Sequence, residues 1–514
     1  MANNGALPRP VIPAGRGTIR ARRRASLLLL VLCAAQFMDA IDLSVVGVAL
    51  PSIQRDLRMP NSTLQWVVSA YVVGYGGFLL IGGRTADVFG RRRVLTAAIA
   101  VFAAASVLGA LAPDAFALIF ARLIKGISAG FTVPAALSII TTSWPEGAQR
   151  NRAIAKYGAT GAAGFSLGLV LGGLLTGTSW RLVFVLPAPL ALLLLAAIPR
   201  LIPRDILTAT RRSRIDYAGA MLITGSVLLL IYAVTRAPTL GWTDPLTLGM
   251  LGAVAVAAAS FFLVESRVRQ PLIPLRMLRS PRTLAVNLTA GVMFGAYAAF
   301  QFIGTLYMQQ LRGWTPLETA LAFLPLGGGV LLAASQANRV VRRVPLRRIL
   351  FAGLLSLAIA YGLFTRIGQH TSYLTTVLPT MVVVGLGVGI LFTTLVLAGV
   401  QGVAEHDHGL ASGLVQTSIQ VGGGVLLAVV TAVIGTPHTP AAVLAQYHKG
   451  TWVIAVSCLA VLVPVSLGLR TAHRRRDAGR LASPPTVHTA QPAQPALPRS
   501  QDAARHPSSP REPE

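Results

Sequence analysis

Apolar residues run along this chain in long blocks separated by short clusters of Arg, Pro, Gly and Ser. The blocks lie near 26–50, 64–83, 94–112, 115–143, 154–178, 182–199, 217–235, 246–264, 284–310, 318–337, 349–365, 374–400, 410–434 and 451–469. Each is close to the about 20 helical residues that cross a hydrocarbon core. The pattern predicts an all-α polytopic membrane protein with fourteen transmembrane helices.

Composition supports this reading. The 514 residues are 54% hydrophobic and 12% charged, with a mean hydropathy of +0.64, against about 25% charged in soluble domains. The net charge of +28, from 45 Lys and Arg against 17 Asp and Glu, does not point to nucleic acid. The bases stand in short clusters between apolar runs, and no folded basic domain is visible. They report topology instead: with a cytoplasmic N-terminus, 36 Lys and Arg fall in cytoplasmic segments, 7 in outer loops, and two inside the membrane. That bias places both termini in the cytoplasm of a cell whose plasma membrane holds the protein.

Two targeting signals are imitated at the start. Arg22, Arg23 and Arg24 before Leu27 to Leu32 look like a signal peptide, but no small-residue cleavage site follows and the apolar run continues to Leu50. Cys33 mimics a lipoprotein box, with a bulky Leu32 where a small residue belongs. With Cys458 it makes two cysteines, both in apolar runs, so no disulfide framework is implied.

The chemistry concentrates in four charges inside predicted spans. Gln36 to Ile53 carries Asp39 and Asp42 within the first span, three residues apart and so on one face, and the fourth span carries Arg122 and Lys125. An acid at the centre of a membrane helix costs roughly 2.5–3.5 kcal/mol on insertion scales, so such residues are functional candidates. At ~1.5 Å rise per residue, Asp39 and Asp42 stand ~20 and ~24 Å above the inner face, and Arg122 and Lys125 ~20 and ~15 Å. Antiparallel packing then sets Asp42 beside Arg122 and Asp39 beside Lys125. Two other placements stand open for Lys125: facing the cavity to hold an anionic or carbonyl-bearing substrate, or, with Asp39, snorkelling to the surface.

The second span leads into Gly82-Gly83-Arg84-Thr85-Ala86-Asp87-Val88-Phe89-Gly90-Arg91-Arg92-Arg93, expected as a cytoplasmic turn. Here Gly90 lets the backbone reverse, Gly83 permits close helix packing, and Asp87 is placed to pair with a nearby Arg. The string resembles the signature loop of the major facilitator superfamily. Together with Leu64-Gln65-Trp66-Val67-Val68 and the stretch from Asp42 to Pro51, it resembles the fourteen-helix drug:proton antiporter branch, over roughly residues 26 to 470.

The resemblance implies two six-helix bundles, 26–203 and 267–470, joined by a linker and inserted helix pair at 204–266, with disordered tails at 1–25 and 471–514. It implies a gating loop of Gly83, Asp87, Gly90, Arg91 and Arg92, and proton coupling through Asp42, Asp39, Arg122 and Lys125. The family has Gln where Lys125 stands, and the extra acid and extra base are read as compensating one another. The glycines of the fifth span, among them Gly161, Gly164, Gly168 and Gly172, form a packing stripe. The family's exporter motif has Gly-Pro where this chain has Gly168-Leu169. Trp180-Arg181-Leu-Val-Phe184 is also similar to the family, and Gln301, Gln309, Gln310 and Gly313-Trp314 resemble it in the second bundle. Arg339, Arg342 and Arg343 are a degenerate counterpart of the first loop, and the later spans hold no buried acid.

Other patterns point nowhere special. Gly385-Leu-Gly387-Val-Gly389 lies inside an apolar helix, not after a strand. His406 and His408, beside Glu405 and Asp407, read as a solvated loop rather than a metal site. No phosphate loop or catalytic triad is recognisable, so an ATP-driven pump or an enzyme is not expected, and no cofactor or metal is implied. The expectation is a monomeric secondary antiporter in the lipid bilayer, exchanging protons for an amphipathic drug or toxic metabolite. The alternatives are a transporter of an endogenous metabolite or siderophore, and a receptor-like or structural membrane protein that moves nothing.

Overall fold

The computed structural model describes residues 19–145, 147–202, 217–268, 280–400, 408–435 and 439–482. Helices account for nearly all of these, and no strand occurs among them. The first half is built from α1 (Ile19–Asp56), the short α2 (Asn61–Leu64), α3 (Trp66–Phe89), α4 (Arg91–Ala110), α5 (Ala115–Ser143), α6 (Ala148–Thr178), α7 (Trp180–Val185) and α8 (Pro187–Leu201). A helix pair follows, α9 (Tyr217–Leu240) and α10 (Pro245–Arg267). The second half holds α11 (Pro281–Leu306), α12 (Pro316–Arg343), α13 (Leu346–Phe364), α14 (Leu378–Val400), α15 (His408–Ile434) and α16 (Pro440–Ala482). Two π-helical turns, Tyr307–Leu311 and Tyr373–Val377, extend the end of α11 and open α14.

Local chemistry sets several of these boundaries. Asp114 caps α5 by accepting from the Ala117 N–H at 2.8 Å, and Asp244 caps α10 from Leu246 at the same distance with Pro245 at the first helical position. Thr315 and Glu318 form a reciprocal capping box at the start of α12, again with proline next. Gly90 closes α3 and opens α4 with φ at +97°, a backbone region that side-chain-bearing residues avoid. Pro187 splits the expected sixth span into α7 and α8, because it has no N–H to continue the ladder.

The first bundle packs α3 on α5, α1 on α6, and α4 on α5 and α8; the second packs α11 on α15 and α14 on α12 and α13. Between the two, α3 meets α15 and α6 meets α12, while α9 lies against both α3 and α15 and pairs with α10. The α1–α6 seam is made by glycine. An added Cβ at Gly164 would stand 2.9 Å from the Phe37 carbonyl oxygen, one at Gly172 2.7 Å from that of Val45, and one at Gly168 would strike Ser44. Gly161 faces Gln36 at 2.7 Å, so all four expected stripe residues point at α1.

Two local expectations are corrected. At Gly83 a Cβ would meet only Pro134, at an ordinary 3.6 Å, whereas at Gly82 it would collide with the backbone of Gly130 and Phe131. Gly82 is therefore the residue that lets α3 and α5 touch. Helix also extends into both expected tails, since α1 starts at Ile19 and α16 continues to Ala482. The side chains of Asp87 and Arg342, the loop with His406, and the side chain of His408 lie outside the described residues.

Among the described residues, twelve helices are long and apolar enough to cross a membrane. The expected total of fourteen depends on two more, α3, which is not among the twelve, and α9, whose apolar part is the shorter Met221–Ala237.

Candidate functional site

The charges expected inside the membrane are fully sequestered, with Asp42, Arg122 and Lys125 at 0% exposure and Asp39 at 4%. Asp42 is the hub. Arg122 Nη1 donates to its Oδ2 at 2.6 Å, and Lys125 Nζ donates to its Oδ1, so one carboxylate on α1 pairs with two cations one turn apart on α5. Removing such ions from water costs several kcal/mol each, and only close pairing with satisfied hydrogen bonds offsets that.

The rest of the shell adds contacts to both cations, leaving Arg122 Nη2 without a hydrogen-bond partner. Arg122 Nε donates to the Val67 carbonyl in the first turn of α3 at 2.7 Å, and its guanidinium lies 4.4 Å from the Tyr71 ring centre. Lys125 Nζ lies 4.6 Å from the Phe102 ring and 5.5 Å from that of Phe184, whose quadrupoles favour a cation. Four elements, α1, α3, α4 and α5, thus converge on the site, with α7 supplying Phe184. Asp42 ties α1 to α5, and Arg122 ties both to α3.

Asp39 does not join them. Neither of its carboxylate oxygens has a hydrogen-bond partner. The expected Asp39–Lys125 pair is corrected on this point: both cations take Asp42. The reason is azimuthal. At about 100° per residue, Asp39 sits about 60° around α1 from Asp42, and the flexible Lys125 stem reaches one level further to the acid that faces α5. The same contact removes the two other placements considered for Lys125, since its ammonium faces neither a cavity nor the surface.

A small cavity of about 20 Å³ lies between the bundles, lined by Leu43, Gly47 and Leu50 of α1, by Val68 and Val72 of α3, and by Phe165, Phe294, Tyr297, Ala298, Gln301 and Phe302. It has room for about one water. At one end of the molecule, here the Asp56 end, amides stitch the two halves together. Gln309 Nε2 donates to the Val48 carbonyl at 2.9 Å, Gln310 Nε2 to Gln54 at 2.5 Å, Gln54 to Asn61 at 2.8 Å, and Asn61 Nδ2 to the Gly435 carbonyl at 3.2 Å. The π turn Tyr307–Leu311 carries both Gln309 and Gln310. A second polar junction joins the turn between α2 and α3 to α9 and α15, where Gln65 donates to Thr235 and accepts from Thr431 at 3.0 Å. The sequence signals Gln65, Gln309 and Gln310 but not their partners, because Thr and Asn in apolar helices carry no distinctive spacing.

Comparisons with known proteins say which family this helical fold belongs to. Residues 32–427 match the model of the Major Facilitator Superfamily. The chain belongs to this superfamily. Among curated proteins it is similar to the puromycin resistance protein pur8 of Streptomyces alboniger, 39% identical over 79% of this chain and 81% of that one. It is also similar to the lincomycin resistance protein of Streptomyces lincolnensis, 35% identical over 81% and 86%, and to the cephamycin export protein CmcT of Amycolatopsis lactamdurans, 33% identical over 85% and 91%. Among solved structures, the inward-open xylose transporter XylE from E. coli shares the fold, with a TM-score of 0.59 at 16% identity, covering 85% of this chain and 94% of that one. A peptide transporter of the POT type, solved with sulfate, gives a TM-score of 0.63 at 16% identity, covering 87% and 94%. This major facilitator protein is accordingly a multi-pass membrane transporter, not an enzyme.

Proposed function

We propose that this major facilitator protein is a proton-coupled antiporter that exports an amphipathic drug, antibiotic or toxic metabolite across the plasma membrane by alternating access. The observation that carries the reading is the Asp42 hub, one acid holding two cations inside the bilayer, in a chain whose relatives include proteins named for antibiotic resistance and export. A proton delivered to Asp42 removes the only negative charge that Arg122 and Lys125 touch among the described residues. Arg122 then keeps only the Val67 carbonyl and the Tyr71 ring, and α1 is uncoupled from α5. That loss changes the balance between two arrangements of a bundle that rocks about a midplane site.

The central cavity of about 20 Å³ is far below the about 300–1,000 Å³ of a ligand pocket. Loading therefore requires the bundles to part, and the amides at the Asp56 end are the contacts that close one side. In this reading the first bundle is α1 to α8, the second α11 to α16, and α9 with α10 are the inserted pair, giving fourteen crossings with α3 and α9 included. Both termini are cytoplasmic by the arginine bias, the working unit is one chain, and Gly83, Asp87, Gly90, Arg91 and Arg92 form the gating loop at the cytoplasmic end.

The test is a resistance screen on cells expressing the protein, with and without a protonophore, followed by everted vesicles carrying Asp42→Asn. Resistance that disappears with the protonophore, and pH-driven uptake that disappears in the variant, are the expected results. Retained pH-driven transport in Asp42→Asn refutes the assignment of the coupling acid.

A further inference from the structure

Along the joint between the two halves, the carboxamide nitrogens of Gln54, Asn61, Gln65, Gln309 and Gln310 each donate to an oxygen. That of Gln301 does not. The residue is 8% exposed on α11, and its Nε2 is the one buried carboxamide nitrogen without an acceptor among the described residues. A buried donor left unmatched is costly and calls for an explanation. What it faces supplies one.

Gln301 lines the cavity between the halves. Phe294, Tyr297, Ala298 and Gln301 stand at three- and four-residue spacing and so share one face of α11, while Leu43, Gly47 and Leu50 share one face of α1 opposite them. The two faces meet at Gly47. A Cβ added there would stand 2.7 Å from Gln301 Nε2 and 3.1 Å from its Cδ, so the missing side chain is what lets the amide lie against α1. One helical turn away, about 6 Å along α11, Tyr297 joins Phe165 and Phe294 in a continuous aromatic wall, with ring centres 5.7 and 6.0 Å apart. Among the described residues, no Asp, Glu, Lys, Arg or His lines the cavity.

We infer that Gln301 sets the specificity of this cavity, donating from its carboxamide to a carbonyl or ether oxygen on an uncharged, flat, amphipathic substrate whose rings lie on the aromatic wall. The inference deepens the exporter reading and rests on it for the existence of a substrate. Two properties fix the class. The unmatched group is a donor, so the ligand supplies an acceptor; the lining holds no charge, so a charged group would be buried there unpaired. An analogue lacking the oxygen leaves the donor unmatched and loses affinity, which is how a single buried hydrogen bond discriminates between ligands. The same geometry links binding to motion. Because α1 and α11 lie in different halves, parting the halves draws Gly47 away from the amide and opens room for the ligand's oxygen.

The experiment measures binding to the full chain in nanodiscs, with empty nanodiscs as the reference for partition into lipid. The probes are fluorenone and fluorene, flat tricycles that differ by one carbonyl oxygen. Wild type is expected to favour fluorenone by about 5-fold or more, the net effect of one hydrogen bond. Gln301→Met, which keeps the length without the donor, should bring that ratio close to one while fluorene binding stays within about 2-fold of wild type. Gln301→Asn keeps the amide but withdraws it by one methylene, and its ratio should fall between the two. Should Gln301→Met fail to give monodisperse protein, the ratio in Gln301→Asn alone decides. A wild-type ratio near one, no fluorenone binding by wild type, or an undiminished preference in the variants overturns the inference. A preference carried by Gln301 in a chain that gives cells no resistance keeps the cavity site and sinks the exporter reading; protonophore-sensitive resistance with a wild-type ratio near one does the reverse.

Discussion

Removing the acid at the hub and removing one of its bases should have unequal effects, and the inequality tests the wiring of the cluster. Asp42→Asn leaves Arg122 and Lys125 buried one turn apart on α5 with no contacting anion. Breaking a buried pair by deleting one partner costs about 3–5 kcal/mol, in line with about 4 kcal/mol for unit charges 4 Å apart at an effective dielectric of 20. Lys125→Met instead leaves the Arg122–Asp42 bond intact at 2.6 Å and puts an apolar chain between Phe102 and Phe184, so its cost should be clearly smaller. The double variant should recover part of the loss, giving a coupling energy of about 1.5–3 kcal/mol between positions 42 and 125. The same cycle between 39 and 125 should give a clearly smaller coupling, because those two side chains share no hydrogen bond and act on one another only through space. Equilibrium unfolding of the purified variants in mixed micelles measures both cycles. Strong coupling of Asp39 to Lys125, or none between Asp42 and Lys125, would refute the arrangement.

Other substitutions probe the frame around the cluster. Gly172→Val drives a branched side chain into the Val45 backbone at 2.7 Å and should cost about 1–3 kcal/mol; Gly158→Val, with nothing within 4 Å, should leave the yield of monodisperse protein unchanged. Gly90→Ala forces a side chain into φ +97° and should lower stability by about 1–3 kcal/mol, read as a lower unfolding temperature. Asn61→Leu with Gln310→Leu removes hydrogen bonds across the Asp56 end, each worth about 1 kcal/mol. Spin labels on α2 and α15 should then report a longer, broader distance. Arg181→Ala breaks an ion pair with Asp56 whose side chains are 41% and 45% exposed; solvent screens such a pair, and resistance should not change.

Much of this arrangement is legible in the chain because bilayer constraints are one-dimensional. Block lengths fix helices, and Asp39, Asp42, Arg122 and Lys125 stand out since charge is rare in such blocks. Height along the membrane follows from counting residues, which brings Asp42 and Arg122 level. Rotation about the helix axis does not follow from counting, and that is why the partner of Lys125 differs from the expectation. The choice between Gly82 and Gly83 fails for the same reason, since adjacent residues point about 100° apart and only the neighbour α5 decides between them. The Gln65, Thr235 and Thr431 junction joins residues up to 366 positions apart, a pairing that no local pattern announces.

The seam at the Asp56 end is made of Gln54, Asn61, Gln309 and Gln310, with backbone carbonyls of Val48 and Gly435. Primary amides carry no net charge and do not titrate in the physiological range. Such a closure is blind to acidity and to the membrane voltage, so it holds or parts according to the mechanics of the helices alone. In the antiporter we propose, sensing and sealing therefore belong to different depths of the same molecule, and a substitution can retune one without disturbing the other.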